Sequence, residues 1–111
     1  MQSSTAKFIL PYPLPSSVPP VIIPDQPNRL ERRINSAIKI DCKAYGTPLP
    51  EISWYKDGRR IQQYENGYTI LPNGTLLISN LQPNDNGEYQ CWAMSESGNA
   101  TREVSVNTQS E

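Results

Sequence analysis

Apolar and polar residues alternate along much of the chain with a period of two, which is the pattern of half-buried β-strands. Residues 37–44 show it most clearly, because Ile38, Ile40 and Cys42 share one side and charged residues separate them. Residues 51–56 repeat the alternation. Further strands are predicted at residues 68–71, 75–79, 88–94 and 101–106.

Turn-forming residues separate these predicted strands. Asp57-Gly58 follows residues 51–56 and is a typical two-residue hairpin turn. Other gaps hold proline, glycine and asparagine, which supply fixed or positive φ: Gly46-Thr47-Pro48, Pro72-Asn73-Gly74, Asn84-Asp85-Asn86-Gly87 and Ser97-Gly98-Asn99. Short strands at regular spacing with turns between them predict an all-β sandwich.

Proline divides the chain, since seven of its eleven prolines precede residue 28. Proline lacks an N–H and fixes φ, so residues 1–20 are predicted to be an extended linker or tail. A second interpretation is a ligand for an aromatic-lined groove, formed by Pro11, Pro13 and Pro15. We predict one domain at residues 21–107 and a C-terminal tail at residues 108–111.

Size and composition exclude several classes of function. The 111 residues fit one domain, and the net charge of -1 lacks the basic excess that nucleic acids select. The chain has no histidine, which excludes Ser-His-Asp catalysis and histidine zinc sites. Its apolar runs, such as residues 21–23, are far too short to cross a membrane. We interpret the chain as a piece of a longer protein, with its localisation signal elsewhere.

The two cysteines allow a disulfide, two buried thiols or half of a metal site. Cys42 lies on the apolar side of one predicted strand, Cys91 lies in another, and Trp54 follows Cys42 by twelve residues. Tyr89 precedes Cys91 by two residues in the run Asp85-x-Gly87-x-Tyr89-x-Cys91.

This pattern resembles an immunoglobulin domain of the I-set type over residues 21–107. Two further motifs match: Gly46-x-Pro48-x-Pro50-x-Ile52-x-Trp54-Tyr55-Lys56-Asp57-Gly58 and Asn73-Gly74-Thr75-Leu76-x-Ile78. The resemblance implies an antiparallel two-sheet sandwich with a Cys42–Cys91 disulfide that packs on Trp54. It also implies that the Tyr89 hydroxyl bonds to backbone at the corner that contains Asp85 and Gly87.

The implied disulfide closes a loop of about 50 residues and is expected to contribute about 4 kcal/mol by restricting the unfolded chain. Two reduced core cysteines are the alternative, as intracellular members of the family tolerate. The redox compartment distinguishes the two states.

The resemblance also implies a class of function. Such domains occur in cell-adhesion molecules, receptor ectodomains, matrix proteins and intracellular muscle proteins. We predict a non-catalytic, extracellular recognition module without cofactor or metal, whose partner is a protein such as another immunoglobulin-superfamily or matrix protein. The alternatives are a passive spacer in a tandem array and an intracellular muscle-type domain.

Strand alternation predicts the binding surface. If Cys91 and Trp54 point inward, their neighbours Trp92 and Tyr55 point outward on the same sheet. Large aromatics and arginines are enriched where protein interfaces bind most tightly. The alternative is that Trp92 stacks over Tyr55 and only covers the sheet. The predicted interface comprises Trp92, Tyr55, Gln90, Arg59 and Arg60, with Met94 on the same side.

Two N-glycosylation sequons fall on predicted turns, at Asn73-Gly74-Thr75 and Asn99-Ala100-Thr101. Both asparagines are candidate glycosylation sites in a secreted protein, although the first triplet is also ordinary turn chemistry. A second carbohydrate hypothesis is a weak sulfated-glycan patch, which would use three basic residues that Glu31 interrupts: Arg29, Arg32 and Arg33.

Overall fold

The computed structural model describes residues 17–110 of the chain. Its β-strands are β1 (Val18–Ile23), β2 (Arg29–Arg33), β3 (Ile38–Ile40), β4 (Lys43–Thr47), β5 (Glu51–Lys56), β6 (Arg59–Arg60), β7 (Tyr68–Ile70), β8 (Leu76–Ile78), β9 (Gly87–Ser95) and β10 (Gly98–Gln109). A short 3-10 helix, Pro83–Asp85, precedes β9.

The strands form the two layers of a sandwich. One layer is a five-stranded sheet in the order β2-β10-β9-β5-β6. Its central strand, β9, pairs antiparallel with β5 and β10, whereas β2 runs parallel to β10 at one edge. The other layer holds the three-stranded sheet β3-β8-β7 and the pair β1-β4. The predicted all-β sandwich of two sheets is confirmed, and its strand pairs are antiparallel except for β2 with β10.

The strand predicted at residues 37–44 is broken in two. Its first part, β3, pairs with β8, and the chain then continues as β4, which pairs with β1. The Gln26 side chain replaces a strand partner at the break, since it donates to the Lys39 carbonyl at 3.0 Å and accepts from the Asp41 N–H at 2.9 Å. The single predicted strand was therefore wrong here.

Both predicted domain bounds lie inside regular strands. β1 begins at Val18, before the expected start at residue 21, and β10 continues to Gln109, beyond residue 107. β1 tolerates Pro19 and Pro20 because it is an edge strand, and its register shifts between Val18 and Val21. Residues 1–16 of the predicted linker, including Pro11, Pro13 and Pro15, lie outside the described residues, as does Glu111.

The core lies between the layers around the disulfide. Cys42 and Cys91 are bonded, as the resemblance implied, with their Cα atoms 6.4 Å apart. Trp54 is fully buried and donates its indole N–H to the Gly74 carbonyl at 2.7 Å. This bond removes the cost of burying the one polar atom of the Trp54 ring.

The Arg102 side chain holds the segment that connects β1 to β2. It lies on β10, and its guanidinium donates to the Gln26 carbonyl at 2.5 Å, to Asn28 Oδ1 at 3.2 Å and to the Asp41 carbonyl at 3.4 Å. These bonds hold the segment that passes from one layer to the other against β10.

A tyrosine cluster closes the end of the sandwich before β9. The Tyr89 hydroxyl donates to the Asp85 carbonyl at 2.6 Å, and the Tyr68 hydroxyl donates to Asp85 Oδ1 at 3.1 Å. Asp85 Oδ2 accepts the Gln82 N–H at 2.8 Å, so the buried carboxylate is well paired. Burial raises the pKa of both Tyr68 and Tyr89 above the usual value.

The Asp57-Gly58 turn joins β5 to β6. Both residues have positive φ, 50° and 86°, as a tight hairpin turn requires. The Asp57 carboxylate accepts the Glu88 N–H at 3.0 Å, which lowers the pKa of that carboxyl group. The turn is therefore tied to the start of β9.

Candidate protein-binding face

The outward side of the five-stranded sheet carries the aromatic residues that the sequence pattern singles out. Along β9, Tyr89, Cys91 and Ala93 are buried, whereas Trp92 is half-buried and Met94 is 49% exposed. The register aligns three outward rows across β5, β9 and β10: Glu51, Met94 and Asn99; Ser53, Trp92 and Thr101; Tyr55, Gln90 and Glu103. We call these three rows the aromatic face.

Tyr55 and Trp92 contact each other on this face. Their ring centroids are 6.2 Å apart and their planes meet at 64°, an edge-to-face arrangement. Such pairs contribute about 0.5–1.5 kcal/mol beyond the burial of their area. The contact fixes both rings and leaves each partly exposed. Trp92 therefore both packs on Tyr55 and presents ring surface to the solvent.

A chain of hydrogen bonds orients Trp92. Its indole N–H donates to Gln90 Oε1 at 3.3 Å, and Gln90 Nε2 donates to Glu103 Oε2 at 3.0 Å. The sequence motifs do not single out Glu103, although alternation along the strand predicted at 101–106 places it on this side. The two hydrogen bonds limit the rotamers of Trp92 before any partner arrives.

The structure separates the two arginines of the predicted interface. Arg60 lies opposite Tyr55 in the β5–β6 register, so the two side chains share one side of the hairpin. Arg59 lies opposite Lys56, and alternation along the strand directs it to the other side. Of this pair, Arg60 borders the aromatic face.

The three arginines of the predicted sulfated-glycan patch lie far from Arg60. Arg29, Arg32 and Arg33 are exposed residues of β2. β2 and β6 are opposite edges of the five-stranded sheet, so four strand spacings, about 19 Å, separate them. Glu31 lies between the arginines and binds Gln109 Nε2 at 3.1 Å. The structure does not join these cations to Arg60 in one basic patch.

The two sequons have different surroundings. Asn99 is exposed near the start of β10 and lies opposite Met94, within the aromatic face. Asn73 is exposed in the turn before β8, where its Oδ1 accepts the Thr75 N–H at 3.0 Å. Thr75 itself is buried and donates to Asp41 Oδ1 at 3.3 Å.

Two other kinds of feature are absent from residues 17–110. No group of three His, Cys, Asp or Glu side chains in this part of the chain has the arrangement of a metal site. The same residues contain no helix that is long and apolar enough to span a bilayer.

Residues 21–108 match the family described as the immunoglobulin I-set domain. The chain belongs to this family. Human sidekick-1 is 37% identical over 81 residues, which cover 72% of the chain and 4% of sidekick-1. Human hemicentin-1 is 38% identical over 91 residues, which cover 82% of the chain and 2% of hemicentin-1. This I-set chain thus spans only a few per cent of the length of these two curated relatives.

Solved structures share the fold. Sidekick-1 immunoglobulin domains 1–4 superpose with a TM-score of 0.79 and 32% identity, over 84% of this chain and 25% of theirs. A chimeric titin Z1Z2 with an exogenous decorin peptide gives a TM-score of 0.76 and 27% identity, over 86% of this chain and 99% of its own. The I-set fold is therefore common to proteins of different classes.

Proposed function

We propose that this I-set domain is a non-catalytic recognition module that works outside the cell and binds a protein partner through the aromatic face. It needs no cofactor or metal for this role. The observation that carries the proposal is the fixed Tyr55–Trp92 pair, which lies partly exposed on the central strands of the larger sheet.

The composition and rigidity of the aromatic face favour protein binding. Tryptophan, tyrosine and arginine are the residues most enriched at binding hot spots. Trp92 is already held by Tyr55 and Gln90, so a partner orders few new side-chain torsions when it binds. Met94, 49% exposed, adds adaptable apolar surface beside it, and Arg60 adds a charge at the rim.

The disulfide supports a location outside the cell, since disulfides persist in oxidising compartments and are rare in the cytosol. The sequons at Asn73 and Asn99 agree with this location. The titin structure supports the alternative of an intracellular domain.

Mass measurement of protein secreted from animal cells, before and after N-glycan removal and with thiol alkylation, tests the compartment. Two alkylated thiols and no glycan in natively expressed protein would support the intracellular alternative.

A pair of matched variants tests the binding face. The oxidised domain is applied to an array of secreted and cell-surface ectodomains, and each signal is measured again with Trp92→Ala and Tyr45→Ala. Tyr45 is an aromatic residue, 58% exposed, on β4 of the other layer, so its variant removes comparable surface elsewhere. We expect Trp92→Ala to weaken partner binding at least 30-fold, about 2 kcal/mol.

The same assay includes outcomes against the proposal. Binding that is insensitive to Trp92→Ala and lost with Tyr45→Ala would place the site on the other layer. An array without any signal would favour the passive spacer. Thermal unfolding of both variants serves as the control that the fold is retained.

A further inference from the structure

We propose that Asn99 carries an N-linked glycan that covers the Met94 and Trp92 rows of the aromatic face, so that its occupancy decides whether a partner reaches them. The claim that the glycan controls partner binding rests on the proposed function. The claim that the glycan covers this surface is independent of that function and can be measured without any partner.

The register places Asn99 beside the residues it would cover. Asn99 and Met94 are directly opposite on adjacent antiparallel strands and point to the same side. Their Cβ atoms are therefore about 5 Å apart. Trp92 lies in the next row, opposite Thr101, about 7 Å further along the strands. A sugar attached to Asn99 starts directly over the exposed Met94 side chain.

The Asn99 side chain is available for modification. It is exposed, and among the described residues it makes no hydrogen bond, whereas Asn73 is engaged with the Thr75 N–H. Both ends of its sequon, Asn99 and Thr101, are exposed on one strand. Transfer from a lipid-pyrophosphate-linked oligosaccharide joins Asn99 Nδ2 to C1 of the first sugar. Nδ2 loses one proton, and the lipid pyrophosphate leaves.

The glycan divides the aromatic face unequally. The Met94 row lies under its first sugar and the Trp92 row under the next part of the chain. The Tyr55 row lies two rows away from Asn99, about 14 Å, and Arg60 is a strand beyond it. A glycosylated domain therefore presents the Tyr55 and Arg60 end, whereas an unmodified domain presents all three rows.

Oxidative footprinting tests the covering directly. Protein secreted from animal cells is exposed to hydroxyl radicals, and the oxidation of Met94 and Trp92 is quantified by mass spectrometry. The variants are N99Q and N73D. N73D removes the other sequon but keeps an oxygen acceptor for the Thr75 N–H. We expect a glycan at Asn99 and at least threefold faster Met94 oxidation in N99Q, with wild-type rates in N73D.

Tyr45, on the other layer, is the internal reference and is expected to oxidise equally in all three proteins. An unmodified Asn99, or equal Met94 oxidation with and without the glycan, would overturn the inference. Protection of Met94, together with an array on which the uncovered N99Q domain shows no Trp92-sensitive binding, would support the covering and refute only the proposed function.

Discussion

The hydroxyl of Tyr89 offers a sharp test of how the end of the sandwich is held closed. Tyr89→Phe removes one oxygen and keeps the buried ring, which packs edge-to-face on Tyr68 with centroids 6.3 Å apart. Tyr68 retains its own bond to Asp85 Oδ1. The substitution therefore removes the bond from the Tyr89 hydroxyl to the Asp85 carbonyl, together with the 3.2 Å contact between the Tyr89 and Tyr68 hydroxyls.

The cost of Tyr89→Phe follows from what it leaves behind. The lost bond, 2.6 Å long, contributes about 1 kcal/mol net. Among the described residues no other hydrogen bond reaches the Asp85 carbonyl oxygen, and leaving such a buried acceptor unpaired raises the expected loss to about 2 kcal/mol. For a domain of this size that corresponds to a decrease in Tm of roughly 8–16 °C.

Urea unfolding followed by tryptophan fluorescence measures this loss, with an unchanged m value as the sign that the unfolding remains comparable. Tyr55→Phe is the matched control, because the Tyr55 hydroxyl has no hydrogen bond within the described residues. It is expected to change the free energy of unfolding by less than ~0.5 kcal/mol. A Tyr89→Phe loss as small as that of the control would refute the assigned role of the hydroxyl.

Three further predictions concern stability. The Cys42–Cys91 disulfide closes a loop with a sequence separation of 49 residues, so its reduction is expected to lower the free energy of unfolding by about 4 kcal/mol. Denaturant titrations measure this loss, and an unchanged midpoint would contradict the prediction. The raised pKa values of Tyr68 and Tyr89 mean that the unfolded chain loses protons first, so the contribution of these two tyrosines to stability should be constant below about pH 10 and fall above it. Phenylalanine at both positions should flatten that fall in unfolding experiments across alkaline pH. Gly87→Ala should lower the free energy of unfolding by about 1–3 kcal/mol, because Gly87 has φ 153° and an added Cβ would lie 2.7 Å from Asp57 Oδ2. Calorimetry measures this loss, and an unchanged free energy of unfolding would contradict the close approach.

Local alternation predicts the buried positions well. The inward placement of Ile38, Cys42 and Trp54 follows from a period of two, because each strand has one side against the core. The Asp57-Gly58 hairpin is equally local, since its φ values depend on the residues of the turn itself. These features need no knowledge of which strands become neighbours.

Contacts between distant segments could not be predicted in this way. The break between β3 and β4 depends on Gln26, 13 and 15 residues before the groups it binds. The placement of Asn99 beside Met94 depends on the pairing register of β9 and β10, and the bond from Gln90 to Glu103 depends on the same pairing. The outward placement of Tyr55, Gln90 and Trp92 was thus predictable, but the separation of Arg59 from Arg60, the hydrogen bonds of the face and its nearby sequon required the register.

The parallel pairing of β2 with β10 has a mechanical consequence. A tensile load on the two ends of the chain pulls these neighbours in opposite directions along their length, so the hydrogen bonds from Arg29–Ser105 to Arg33–Gln109 are sheared together and do not open one after another. If the strands part, the crosslink from Cys42 to Cys91 keeps 49 residues, roughly 170 Å of extended chain, out of the path of the load. The domain would then extend only through the segments outside that loop, and its maximum extension under load would be fixed by their length.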